Sequence, residues 1–120
     1  MDSEIRRIIA IEVHRLRAGK CPIEVYSLGT GESFAIQPTA DGFIDLTSGL
    51  AVQSSPGHVV LPGRQATIDL HLIGDIGFAG YDHSAKKAFS GRAGGGATVT
   101  VYDDRDNYFQ YAVATETQPS

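Results

Sequence analysis

"GRAGGGATVTVYDD", residues 91–104, is the stretch whose reading decides the fold class. A Gly-rich loop that cradles phosphate sits between a strand and a helix, so that the helix N-terminal amides meet the anion. Here the order is reversed. The glycines lead into "ATVTVYD" (97–103), where Val99 and Val101 alternate with Thr98, Thr100 and Tyr102 in a β-branched strand pattern. "GRAGGG" also has the wrong spacing for the dinucleotide fingerprint. Both nucleotide readings fail on context. The loop reads as glycines at positive φ, or as a bulge beside the strand. Its remaining functional option is a backbone nest for an anion, with Lys86, Lys87 and Arg92 as candidate ligand-binding residues and Tyr81 as a neighbour.

Downstream, "YFQYAV" (108–113) forms a terminal hairpin with that strand across the polar loop "DRDN". Phe109, Tyr111 and Val113 share one face, Tyr108 and Gln110 the other, so one set must be core. Exposed tyrosines there suit a peptide or a subunit. Asp103, Asp104 and Asp106 cluster in the loop but lack calcium-loop spacing, because position 109 is Phe. They read as a solvated turn. "TETQPS" (115–120) reads as a flexible tail.

Upstream, short alternating runs recur between turn residues: "IEVYSL" (23–28), "SFAIQ" (33–37), "FIDL" (43–46), "LAVQ" (50–53), "HVVL" (58–61) and "IGFAGY" (76–81). Asp41-Gly42 is the strongest hairpin signal. "RQATIDLHLIG" (64–74) is the cleanest strand, with Ile68, Leu70 and Leu72 on one face and Thr67, Asp69 and His71 on the other. "DHSAKKAF" (82–89) suggests one helical turn. The count is seven to nine strands, with no βαβ alternation.

The chain opens differently. In "DSEIRRIIAIEVHRLRAGKCP" (2–22), Ile5, Ile9, Val13 and Leu16 fall at helical spacing, flanked by Ile8. Asp2 or Ser3 caps the start, Gly19 stops the helix and Pro22 prevents its continuation. The expected architecture is mainly β: a compact antiparallel sandwich or small barrel with one N-terminal amphipathic α-helix. It forms one globular domain over residues 1–114, with the helix at about 3–18 covering an open barrel end or a sheet face and the β-rich part over 22–114.

The 120 residues are 42% hydrophobic and 20% charged, with a formal net charge of -4. That charge argues against a nucleic-acid binder. The first twenty residues carry an excess of cations and the remainder an excess of acids, so the helix can dock on the body or on a partner chain. Cys21 is alone, which excludes an intrachain disulfide and a thiolate metal site. "IIAI" (8–11) is too short for a secretory leader or a membrane span, so a cytoplasmic location is expected.

One catalytic constellation arises from spacing. Asp69 and His71 share a strand face, and His83 follows in the next loop, so His71 can serve as a base oriented by a carboxylate. His71, Asp82 and His83 form the corresponding metal alternative. No cofactor motif is present. The favoured expectation is a small, soluble, non-catalytic binding or assembly module. It contacts a protein partner or a second copy through β-edges, the aromatic hairpin and the cationic helix, without nucleic acid or membrane. The alternative is a small-molecule-binding barrel or enzyme whose Asp69, His71 and His83 converge in a pocket.

Overall fold

A computed structural model describes residues 1–103 and 107–115. The helix α1 spans Ser3–Ala18. Ten strands follow: β1 (Glu24–Ser27), β2 (Ser33–Pro38), β3 (Gly42–Asp45), β4 (Leu50–Ser55), β5 (His58–Leu61), β6 (Ala66–Ile73), β7 (Gly77–Asp82), β8 (Lys87–Arg92), β9 (Thr98–Tyr102) and β10 (Tyr108–Ala114). Every strand pairs antiparallel with its neighbours, and β1 pairs with β10, which closes a barrel. Closure decides between the two expected architectures, and it removes the β-edges as contact surfaces.

The sequence pattern foretold nine of these strands. The tenth, β8, replaces the helical turn expected over "DHSAKKAF". Lys86 takes a positive φ in the turn after β7, and the chain then runs extended from Lys87. Two reciprocal cross-strand pairs hold β7 against β8, Phe78 opposite Gly91 and Gly80 opposite Phe89. All four face inward, and the two rings tilt together with centroids 6.4 Å apart. A Cβ on Gly91 would lie 2.2 Å from both the Phe78 ring and the Thr100 carbonyl oxygen. Glycine is required here by close approach.

The helix is where the expectation fails most. Asp2 accepts the amide of Ile5 and Gly19 ends the helix in the left-handed region at φ 75°, as the capping residues require. Burial, however, does not follow one stripe. Arg7, Ile8, Ile9, Ala10, Ile11, Glu12, Val13 and His14 are consecutive and all buried, while Leu16 is 43% exposed. A helix buried on every side is surrounded. Its contacts reach Asp45 on β3, Ser54 on β4, Gly77 on β7 and Ala93 after β8. α1 therefore fills the lumen and does not cover an end or a face. Side chains alone fill a barrel of about eight strands, and ten strands leave width for a helix. Sixteen residues span about 24 Å, close to the height of the longest strand.

The inward strand residues complete one core with the helix: Val25, Ile36, Phe43, Val52, Val59, Leu61, Ile68, Leu70, Val99, Val101, Tyr111 and Val113 among them. In the last hairpin, the Phe109, Tyr111, Val113 face is the core face.

Candidate functional site

The helix cations are engaged within the chain. Arg7 donates through Nε and Nη2 to the Asp45 carboxylate, and its guanidinium lies 3.8 Å from the Phe34 ring centroid. Arg6 reaches Asp103 and stacks on Phe109. Arg15 bonds Glu12, whose other oxygen accepts from Ser54. Arg17 donates to the carbonyls of Ala93 and Gly77. A buried charge must be paired, and these pairs tie α1 to the wall. The cationic helix is not a free docking surface.

Asp69 and His71 project from the outer, convex wall, because their neighbours along the strand, Ile68 and Leu70, point inward. His83 meets Asp69 at 2.8 Å, and Tyr81 packs edge-on against His83 at 4.9 Å. The Asp69 and His83 side chains are about half exposed. His71 stands on open surface, so the three do not converge in a cavity. Asp82 is turned the other way. It is buried and accepts from the Ser84 amide and hydroxyl. His71, Asp82 and His83 have no common centre, and no metal-binding trio exists among the described residues.

The proposed anion group also separates. Lys87 begins β8 near Tyr81, with Lys86 in the turn before it, whereas Arg92 ends the strand, roughly 17 Å away at strand rise. Of the Asp103, Asp104 and Asp106 cluster, Asp104 and Asp106 lie outside the described residues, as do 116–120 of the expected tail. Burial, against the opposing field of Arg15, pushes the Cys21 thiol up to about 11, which favours the protonated form near neutral pH.

Two features remain. The first is a face on β1, β10 and β9. Outward positions there carry Tyr26, Leu28, Tyr102 and Tyr108, with the Tyr102 and Tyr108 rings 6.4 Å apart. Leu28 and Tyr108 are 48% and 61% exposed. They line an open groove of about 450 Å³ with Gly29, Thr30, Phe109 and Gln110. Among the described residues, no charged side chain lines it.

The second lies at the mouth where the helix ends. His14, Ala18, Lys20, Gly95, Gly96 and Ala97 line an open cleft of about 240 Å³ with Val113 and Thr115. His14 is 4% exposed, and its ring faces the Gly96 backbone. Burial lowers its pKa, and the Gly96 backbone opposes that shift. The sequence drew attention to this loop but not to His14, which lies eighty residues away from it.

Compared with protein-family models, curated proteins and solved structures, the chain matches none. No helix among the described residues is long and apolar enough to cross a membrane.

Proposed function

We propose that this chain is a small, non-catalytic assembly module that contacts protein through the β1–β10–β9 face, with a second copy of itself as the partner. The observation that carries this reading is the open groove flanked by Leu28 and Tyr108, whose lining among the described residues carries no charged side chain. Large apolar and aromatic residues left exposed together mark contact surfaces, and tyrosine supplies area at low entropic cost. Two further observations support it. α1 runs through the lumen, the space that a ligand-binding barrel keeps open for its ligand. The polar Asp69, His71 and His83 group is spread on convex, wetted surface.

Sedimentation velocity across a concentration series tests the proposal. Wild-type protein should move from monomer to dimer with concentration. Leu28→Asp with Tyr108→Asp should abolish the shift and leave the melting temperature nearly unchanged, since both side chains are solvent-exposed. A chain that remains monomeric at millimolar concentration overturns the proposal, as does a dimer that the double variant leaves intact.

A further inference from the structure

Of the outward positions described on β1, β10 and β9, only Glu24 carries a charge. Arg92 bounds the same face on its other side. It points outward at the end of β8, because Phe89 and Gly91 point inward, and its strand partner on β9 is Thr100. Both side chains are exposed, and neither has a hydrogen bond or ion pair among the described residues. From this placement we infer that two copies pair about a two-fold axis that sets Glu24 of each against Arg92 of the other, with Leu28 on the axis. The inference rests on the contact-face reading and adds to it the relative orientation of the copies.

A contact between identical patches is isologous: if residue i meets residue j, then j meets i. Two facing patches are related by a two-fold axis lying in the plane of contact. The axis that exchanges two points of a patch is the line equidistant from them. Strand register locates that line. Leu28 lies four residues from Glu24 along the chain, about 14 Å at strand rise. It also heads a row across the sheet. Its amide donates to the Gln110 carbonyl, Gln110 pairs with Thr100, and Thr100 pairs with Arg92. Three strand spacings make that row about 14 Å long as well. Leu28 is therefore equidistant from the two charges. The same line crosses the face between Ala112 and Thr98, a direct cross-strand pair.

Side-chain size suits this axis. Leu28, 48% exposed in the single chain, packs against its own mate and leaves water. Ala112 and Thr98 are small, so the two walls approach closely at the centre. The walls are convex and curve away to either side. There the long side chains of Glu24 and Arg92 span the gap. An axis along the line that joins the two charges does the opposite. It sets Glu24 against Glu24 and Arg92 against Arg92, and like charges facing each other across a contact are repulsive. Charge at a rim fixes orientation more than it adds affinity.

Charge reversal, followed by sedimentation velocity of the full chain, tests the arrangement. Glu24→Arg meets a like charge at both ends of the contact and should weaken dimerisation about tenfold. Arg92→Glu should do the same. The two single variants, mixed in equal amounts, should dimerise with each other as tightly as the wild type, because opposite charges then meet at both ends. The double variant Glu24→Arg with Arg92→Glu should dimerise alone. Both residues are exposed, so every variant should melt as the wild type does. Single variants that dimerise like the wild type overturn the arrangement, and so does a mixture that stays monomeric. Failure of the contact face itself looks different: the wild-type chain is then monomeric, or its dimer survives Leu28→Asp with Tyr108→Asp, and either result overturns both.

Discussion

Replacing Asp45 with Ala should unfold much of what holds the helix in the barrel. Asp45 is fully buried on β3, and Arg7 is almost as buried on α1. One carboxylate oxygen takes both Arg7 bonds, and the other accepts the Thr47 amide. Removing the carboxylate leaves a guanidinium in the lumen beside the Phe34 ring, without its ion-pair partner. Breaking a buried pair by deleting one partner costs about 3–5 kcal/mol, because the remaining charge is uncompensated. For a chain of this size that corresponds to a fall in melting temperature of roughly 12–20 °C. The pair itself need not be strongly stabilising. Arg7→Met with Asp45→Leu should recover to within about 2 kcal/mol of wild type, since an apolar pair of similar volume avoids both desolvation costs. Urea unfolding followed by circular dichroism measures all four corners of the double-mutant cycle, with constant m-values as the check on two-state behaviour. If Asp45→Ala alone costs less than about 1 kcal/mol, water reaches Arg7 and the sealed-lumen reasoning is wrong.

Three further outcomes follow from particular atoms. Gly91→Ala places a methyl against the Phe78 ring and a backbone oxygen, and should cost about 1–3 kcal/mol or more, whereas Gly63→Ala, with open space around it, should be nearly neutral in the same melts. With its thiol at about 11, Cys21 is ionised in roughly one molecule per thousand at pH 8, so iodoacetamide should label the native chain far more slowly than the urea-unfolded chain. His14 titrates below its ordinary 6.5 in the folded chain, so the unfolded chain binds the extra proton as pH falls through that value. Stability should therefore rise with pH across the window just below 6.5, and His14→Gln should flatten that slope in urea melts repeated over pH.

The strands were legible because antiparallel β-structure writes its two faces as alternation, and the caps of α1 were legible because Asp2 and Gly19 act locally. β8 was hidden for a reason visible in its sequence. "KAFSGR" puts one ring and one glycine on its inward face, and that glycine makes sense only opposite Phe78. The position of the helix was half legible. Ile8, Ile9, Ala10 and Ile11 are consecutive, and four consecutive apolar residues on a helix cover every side. Reading only the Ile5, Ile9, Val13 stripe conceals that. Arg7, Glu12 and His14 looked like polar interruptions because their partners, or the cavity that His14 faces, come from residues 45, 54 and 95–97. Asp69 and His71 share one strand face as their spacing requires, but spacing along a strand does not say whether that face is concave.

α1 comes first in the chain, yet it lies inside a wall that closes only when β1 pairs with β10, joining Glu24 to Ala114. The bonds from Arg7 to Asp45 and from Ser54 to Glu12 are therefore shut away from water only in the closed barrel. The cost of breaking the Arg7–Asp45 pair is for that reason a property of closure and not of the two residues alone.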